Sequence, residues 1–146
     1  MLITPDGKPT RAMNHLDHAD EFDADLAVGA AQVGDYAALV LPGGVANPDA
    51  LRQEDAAVGF VRDFTGTGRP VAAICHAPWT LVEADLVRGR TLTSWPSVQT
   101  DIVNAGGVWV DQQVVVDDGP GWMLVTSRKP DDLPAFCDAL VEAAAV

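Results

Sequence analysis

Two short apolar segments, each ending in a tight turn, constrain the fold of this chain most strongly. Tyr36–Leu41 stops at Pro42-Gly43-Gly44, and Pro70–Ile74 runs directly into Cys75-His76. Continuous apolar runs of this length are typical of strands that are covered on both faces, as in a parallel sheet. Because segments with helical spacing of apolar residues follow both runs, the sequence predicts an α/β fold with helices packed on a mainly parallel sheet.

The length and composition are those of one folded domain. The chain has 146 residues, of which 48% are hydrophobic and 21% charged, and this is ordinary usage for a globular protein. No linker and no internal repeat divides the chain. We therefore expect a single domain over residues 1–146.

The charge balance excludes several classes of partner. Lys and Arg total 9 and Asp and Glu total 21, which gives a formal net charge of −12. Phosphate backbones and anionic headgroups are bound through Lys and Arg, so we expect neither nucleic acid nor a membrane as a partner. The chain does not begin with a basic segment followed by an apolar run, and its two cysteines form no disulfide framework. We expect a cytoplasmic protein with reduced thiols.

A helix is predicted after each of the two apolar runs. Asn47-Pro48 fits a helix start, with Asn47 as the N-cap and Pro48 at the first helical position, and we expect one helix from there to Gly66. A second helix begins at Pro78. The apolar face of the first helix contains Leu51, Val58, Val61 and Phe64.

The remaining segments complete the expected alternation. Residues 14–25 are polar and acidic and predict a hairpin-like excursion, whereas Asp117–Gly121 predicts the turn of a second hairpin. The chain closes with an amphipathic helix, and because Cys137 lies beside Phe136 we expect it in the core. The predicted apolar face of that helix contains Leu133, Phe136, Leu140, Val141 and Ala144.

The chemistry of the chain is expected at Cys75. A buried strand delivers this residue to a sharp turn just before a helix, and such an elbow exposes a side chain at the carboxyl end of the sheet, where α/β proteins bind ligands. The positive end of a helix favours thiolate over thiol, and His76 is placed to move a proton. The alternative is a small core residue beside a structural histidine, and the elbow favours the first interpretation.

Several motifs follow one another along the chain in a fixed order. They are Leu39–Gly44, Ala73–Trp79, Leu86–Arg90, Thr93–Ser97, Asp101, Asn104–Gly106 and Thr126–Pro130. In this order they resemble the PfpI-like branch of the ThiJ/PfpI superfamily. The resemblance implies a flavodoxin-like three-layer α/β/α sandwich related to class I glutamine amidotransferases, and a cysteine nucleophile with no metal and no organic cofactor.

The resemblance assigns roles to individual residues. It implies that Cys75 is the nucleophile, that His76 is its partner, and that Asp49 is a third catalytic acid donated across an interface between copies of the chain. A homo-oligomer, dimer or hexamer, follows from that arrangement. The family usually has a glutamate where this chain has Asp49, which is one methylene shorter.

The same resemblance extends to the pocket around the nucleophile. It implies backbone amides of Gly44 and Val45, with Ala77 or His76 nearby, as donors to an oxyanion. The family more often has glycine at position 77. Trp79 and Trp95 are candidate walls of the pocket.

The N-terminal part of the chain departs from the family. The family begins with a strand and a helix that carry a glutamate hydrogen-bonded to the nucleophile, and this chain resembles it only from the second strand, Leu2-Ile3, onward. We expect that Met1 is not the start of the complete functional domain. With the first strand absent, Ala37–Leu41 would expose an unpaired edge.

Three functional hypotheses follow from these residues. The first is a cysteine-dependent hydrolase or lyase that acts on glyoxal-derived carbonyl adducts, as small carbonyl compounds or on glycated protein, in stress protection. Similar proteins are described as deglycases, glyoxalases or, historically, intracellular peptidases. The second is a redox-sensing or holdase-like stress protein, in which oxidation of Cys75 replaces turnover. The third is an inactive paralogue. His15 and His18 lie among aspartates, but a solvated loop is favoured over a metal site there.

Overall fold

The computed structural model describes residues 1–145, which form ten strands and five α-helices. The strands are β1 (Ile3–Thr4), β2 (Thr10–Asn14), β3 (Asp17–Phe22), β4 (Leu26–Ala27), β5 (Leu39–Leu41), β6 (Val71–Ile74), β7 (Thr91–Leu92), β8 (Val108–Trp109), β9 (Val114–Asp117) and β10 (Leu124–Ser127). The helices are α1 (Ala46–Leu51), α2 (Asp55–Thr65), α3 (Pro78–Glu83), α4 (Gln99–Asn104) and α5 (Leu133–Ala144).

The central sheet has four strands in the order β5-β6-β10-β9. Strand β6 pairs in parallel with both β5 and β10, and β9 closes the sheet as the antiparallel partner of β10. Val71 in β6 is in register with Leu39 on one side and Leu124 on the other. The parallel pairing brings the carboxyl ends of β5, β6 and β10 to one edge, and Cys75 follows β6 at that edge.

Helices cover both faces of this sheet, as the apolar runs predict. Val71 and Ala73 face one core cluster and Ala72 faces the other, because successive residues of a strand point to opposite faces. The first cluster includes Phe64 of α2, Leu81 of α3 and Ile102 of α4, all with no exposed surface; the second includes Phe136 and Ala143 of α5. This is the three-layer, flavodoxin-like arrangement, and the fold expectation is confirmed.

The helix expected from Asn47 to Gly66 is two helices instead of one. Helix α1 begins at Ala46, so Pro48 occupies its third position, and α2 begins at Asp55 after an extended Glu54. Pro48 is still in the first turn of α1, where a missing amide hydrogen leaves no helical bond unmade. The prediction of one continuous helix was wrong because the apolar spacing continues across the break.

The buried face of α5 also differs from the prediction. Phe136 and Ala143 are buried, whereas Leu133 and Val141 are exposed. Cys137 is exposed as well, so the prediction that it lies in the core was wrong. The sheet covers only a narrow stripe of this largely apolar helix.

The N-terminal strands lie outside the central sheet. Strands β1 and β4 pair with each other in parallel, and β2 and β3 form an antiparallel hairpin over the segment where a hairpin was expected. Strand β5 has β6 as its only partner in the described part of the chain, and Val40 in its middle is 46% exposed. No helix within residues 1–145 combines the length and the apolar character that crossing a membrane requires.

The β9–β10 hairpin contains the predicted turn at Asp117–Gly121 and is fixed by a buried arginine. Arg90 forms an ion pair with Asp117 at 2.8 Å, donates to the carbonyl oxygen of Trp122 at 2.7 Å, and lies 4.1 Å from the centre of the Trp122 ring. Gly119 leaves the space that the guanidinium occupies. These contacts fix the β9–β10 hairpin against strand β7, which begins directly after Arg90.

Candidate active site

Cys75 occupies a strained turn between β6 and α3. Its φ is 64°, in the left-handed region that costs a residue with a Cβ about 1–2 kcal/mol. The Cys75 amide donates to the carbonyl oxygen of Ser127 at 3.0 Å, and the Cys75 carbonyl oxygen accepts from the amide of Trp95 at 2.8 Å. Strand β10 and the segment at Trp95 therefore hold the residue in this conformation, and the expected elbow is present.

Gly43 packs directly against the nucleophile candidate. A Cβ added at Gly43 would lie 2.6 Å from Cys75 Cβ and 2.9 Å from the carbonyl oxygen of Ile74. Both distances are below any tolerable contact, so only glycine fits there. Gly44 follows with φ +81°, a conformation that glycine adopts without strain. The Pro42-Gly43-Gly44 turn therefore lets the end of β5 approach Cys75.

His76 is the immediate partner of Cys75. The Cys75 Sγ lies 3.2 Å from Nδ1 of His76, within hydrogen-bonding distance for sulfur. His76 is buried, with 7% of its surface exposed, and this burial lowers the pKa of the imidazole from its ordinary value of 6.5. The neutral ring is therefore favoured at neutral pH, and it can accept the proton of the Cys75 thiol.

The two tryptophans expected as pocket walls both contact His76. The ring of Trp79 is tilted against the imidazole with centroids 5.1 Å apart, and the ring of Trp95 stacks on it at 5.7 Å. Trp95 is 38% exposed, so it borders both the imidazole and solvent. Apolar walls of this kind remove water from the ring and account for its burial.

Asp49 does not reach Cys75 or His76 within its own chain. Both bonds to its side chain come from Arg52, whose Nε and Nη2 donate to Oδ1 at 3.1 and 2.7 Å. The Arg52 guanidinium lies 4.9 Å from the centre of the Trp79 ring. The Asp49 carboxylate is thus linked to the His76 imidazole only through the Arg52 guanidinium and the Trp79 ring.

The three expected oxyanion donors differ in their hydrogen bonding. The amide of Ala77 donates to the carbonyl oxygen of Ile74 at 3.1 Å and is therefore engaged. The amides of Gly44 and Val45 donate to no acceptor within residues 1–145. Gly44 and Val45 therefore remain available to a ligand beside Cys75.

Sequence reasoning missed Ser97 as a neighbour of the site. Its Oγ lies 3.5 Å from Nε2 of His76, on the opposite side of the ring from Cys75. Ser97 is the last residue of the Thr93–Ser97 motif, but the motif by itself assigns it no contact with His76. Its contact with His76 arises because Trp95, two residues earlier, is hydrogen-bonded to the Cys75 carbonyl oxygen.

The histidines of the β2–β3 hairpin form no site in this structure. His15 and His18 are exposed, as are Asp17 and Asp20 beside them. Nowhere in the described chain do His, Cys, Asp or Glu side chains come together in a group of three that could hold a metal ion.

Comparisons with known proteins agree with this geometry. The model of the DJ-1/PfpI family matches residues 1–143. The chain is 48% identical to protein/nucleic acid deglycase 2 of Escherichia coli, over 77% of this chain and 63% of that protein. It is 42% identical to general stress protein 18 of Bacillus subtilis, over 80% of this chain and 65% of that protein. The chain thus spans about two thirds of the length of these curated relatives.

A solved structure shares the fold at an appreciable level of identity. It is the crystal structure of a two-domain protein with DJ-1/ThiJ/PfpI-like and ferritin-like domains from Anabaena variabilis. It superposes with a TM-score of 0.78 and 37% identity, over 84% of this chain and 34% of that one. On the family match, the sequence identity and the shared fold, this chain belongs to the DJ-1/PfpI family.

Proposed function

We propose that the protein is a cysteine-dependent hydrolase or lyase that acts on glyoxal-derived carbonyl adducts, either small carbonyl compounds or glycated protein. The observation that carries this proposal is the 3.2 Å contact between Cys75 Sγ and Nδ1 of a buried His76, at an elbow on the carboxyl edge of the sheet. A nucleophile within hydrogen-bond reach of its base is the requirement for covalent catalysis. The deglycase name of the Escherichia coli relative supports the substrate class.

The reaction begins with proton transfer inside the Cys75–His76 pair. The thiol S–H bond breaks, Nδ1 of His76 takes the proton, and the thiolate adds to the electrophilic carbon of the adduct. The imidazolium then returns its proton to the leaving amine as the C–N bond breaks. Loss of the amine, or direct addition to free methylglyoxal, leaves a hemithioacetal on Cys75. A proton shift from its sulfur-bearing carbon to the neighbouring carbonyl carbon converts it into a lactoyl thioester, and water hydrolyses the thioester to lactate and the free thiol.

Two backbone amides support the charge that develops in this reaction. When the thiolate adds to a carbonyl, the negative charge moves to the carbonyl oxygen, and preorganised N–H donors lower the energy of that state. The amides of Gly44 and Val45 are free for this role in residues 1–145. The short contact of Gly43 with Cys75 brings this turn beside the reacting sulfur.

The activity is tested with methylglyoxal, with lactate measured as the product. The Cys137→Ala variant is the matched control, because it removes an exposed thiol distant in sequence from the elbow. We expect lactate from the native protein and from Cys137→Ala, and none from Cys75→Ala. Equal lactate production by native protein and Cys75→Ala contradicts the proposal.

The third catalytic acid is proposed to come from a second copy of the chain. Asp49 is bound to Arg52, and no carboxylate of residues 1–145 is hydrogen-bonded to the His76 imidazole. Mixing Cys75→Ala with Asp49→Ala subunits should restore part of the activity if sites are shared in a homo-oligomer. Failure to recover activity after verified subunit exchange contradicts the shared site.

The half-exposed Cys75 favours a second candidate, a redox-sensing stress protein. In that case hydrogen peroxide would oxidise the thiol to sulfenic acid with release of water. The function would then be this oxidation, without catalytic turnover of a carbonyl substrate. Mass spectrometry after peroxide treatment measures this oxidation. Rapid oxidation of Cys75 together with no lactate from methylglyoxal would favour the sensor over the enzyme.

A further inference from the structure

The imidazole of His76 has one nitrogen facing the nucleophile and the other facing a hydroxyl. Nδ1 lies 3.2 Å from Cys75 Sγ, and Nε2 lies 3.5 Å from Ser97 Oγ. A neutral imidazole carries a proton on only one of these nitrogens. The proton must be on Nε2 if Nδ1 is to accept the thiol proton, so the Ser97 side of the ring decides whether His76 can act as a base.

The segment that carries Ser97 is fixed to the elbow. The Trp95 amide donates to the Cys75 carbonyl oxygen at 2.8 Å, and the Trp95 ring stacks on His76. Ser97 lies in the 3₁₀ turn Pro96–Val98, which begins directly after Trp95, and Val98 anchors the turn with no exposed surface. The backbone at Ser97 is therefore held by the same contacts that hold Cys75, and the exposed Ser97 side chain extends from it toward Nε2 of His76.

We propose that Ser97 is a positioning residue, which accepts a hydrogen bond from Nε2–H of His76 and so leaves the Nδ1 lone pair directed at the Cys75 thiol. This assignment deepens the proposed function, because it explains how the base is kept in its active tautomer. When the thiol proton moves to Nδ1, the ring becomes an imidazolium and Nε2–H continues to donate to Ser97. The 3.5 Å separation is long, and such contacts commonly shorten once substrate is bound.

The charged side chains near the site contact the Trp79 ring and form no hydrogen bond with the His76 imidazole in residues 1–145. Asp101 in α4 accepts from the Trp79 indole at 2.8 Å, and Arg52, the residue after α1, pairs with Asp49 and lies over the same ring. Within residues 1–145, the His76 ring nitrogens contact only Cys75 Sγ and Ser97 Oγ. Because the Cys75 thiol donates to Nδ1, the Ser97 hydroxyl is the group of the same chain that is left to accept from Nε2–H. A carboxylate from a second copy would accept from the same Nε2–H and favour the same tautomer.

The tautomer is read directly by nitrogen NMR of protein labelled with ¹⁵N-histidine. The chain has 3 histidines, and the His76 signals are those missing from the His76→Gln spectrum. We expect the native protein at pH 7.5 to carry the ring proton on Nε2, and Ser97→Ala to shift the population toward Nδ1–H. A native spectrum with the proton on Nδ1 overturns the proposal, even if Ser97→Ala fails to fold.

The consequence for the nucleophile is read by iodoacetamide alkylation in a Cys137→Ser background. We expect Ser97→Ala to slow alkylation of Cys75 at pH 7 by roughly threefold to tenfold, the range for loss of one neutral hydrogen bond. Ser97→Thr keeps a hydroxyl and should restore the native rate. Thr100→Ala removes an exposed hydroxyl from α4 and serves as the matched control.

The outcomes separate this proposal from the proposed function. Neither measurement needs a substrate, so both remain decisive if the protein leaves methylglyoxal unchanged. Native alkylation rates and an unchanged tautomer in Ser97→Ala overturn the role of Ser97 alone. Equal slowing in Ser97→Ala and Ser97→Thr with no change of tautomer shows a purely structural residue, and this also overturns it.

Discussion

Two residues of this molecule, His15 and Cys75, share an unusual backbone conformation in opposite surroundings. Their φ values are 55° and 64°, both left-handed. His15 lies in the two-residue loop between Asn14 and Asp17 of the β2–β3 hairpin, where all neighbours are exposed. Cys75 has β5, β10 and Trp95 around it, with a hydrogen bond to each of the last two.

The difference shows two ways in which a protein adopts left-handed backbone. At His15 the tight hairpin turn requires it, and histidine is among the residues that tolerate it. At Cys75 the surrounding structure imposes it on a residue that does not favour it, and strain of this kind collects at functional sites. The first turn is local, and the second depends on segments distant in sequence.

The largest effect is expected from a substitution at Gly43, which tests whether distant segments hold the turn at Cys75. Gly43→Ala places a Cβ against Cys75 and the Ile74 carbonyl, so we expect the free energy of unfolding to fall by about 1–3 kcal/mol and alkylation of Cys75 to change. Gly59→Ala is the matched control, because Gly59 lies in α2 with nothing within 4 Å of the added Cβ. It should stabilise by about 0.5–1 kcal/mol. Urea denaturation measures both, and equal effects would contradict the contact.

The reactivity of the two thiols sharpens the contrast next. At pH 7 we expect iodoacetamide to modify Cys75 roughly tenfold faster than Cys137, because the neutral His76 can accept the thiol proton as the sulfur attacks, although Cys137 is the more exposed. Peptide mapping after brief labelling gives the ratio. His76→Gln should make the alkylation rates of Cys75 and Cys137 similar. Faster modification of Cys137 in the native protein would contradict the assignment of Cys75 as the reactive thiol.

Glycine substitution compares the strain at the two turns. Cys75→Gly should be more stable than Cys75→Ala by about 1 kcal/mol, because glycine adopts the left-handed conformation freely. His15→Gly and His15→Ala should agree within about 0.3 kcal/mol in global unfolding, because an exposed hairpin opens before the core. If the Gly and Ala variants differ more in unfolding free energy at His15 than at Cys75, the greater strain lies at His15 and the proposed contrast is wrong.

The smallest expected effect is the pH dependence from His76. Its pKa is lower in the folded protein than the ordinary 6.5, so the unfolded chain binds more protons between the two values. Unfolding free energy should therefore decrease as the pH falls from about 7 through this window. Urea titrations at several pH values, with His76→Gln subtracted, isolate the contribution. A native protein that grows more stable than the variant on acidification contradicts the lowered pKa.

The elbow was predictable because its signals are local. An apolar strand run ends at Cys75, and Pro78 marks a helix start three residues later, so the sequence alone placed the nucleophile candidate at the carboxyl edge of the sheet. Trp79 and Trp95, the candidate pocket walls, lie against His76, and their role as walls of a substrate pocket stays a prediction. The family resemblance added the fold, and the observed topology and the solved structure that shares it confirm it.

The missed features depend on packing between distant segments. Cys137 was placed in the core because α5 is apolar around much of its circumference, and periodicity alone does not say which stripe meets the sheet. The break before Asp55 was hidden because apolar spacing continues across it. Ser97 reaches His76 across 21 residues of sequence, and no local pattern encodes that contact.

The two indole rings against His76 also give the molecule an optical reporter. Of the four tryptophans, Trp79 and Trp95 lie within 6 Å of the imidazole, at 5.1 and 5.7 Å between centroids. A protonated imidazole quenches indole emission more strongly than a neutral one, and an alkyl group on the neighbouring sulfur changes the polarity around both rings. Intrinsic fluorescence can therefore follow the protonation of His76 and the modification of Cys75 in real time, without a label.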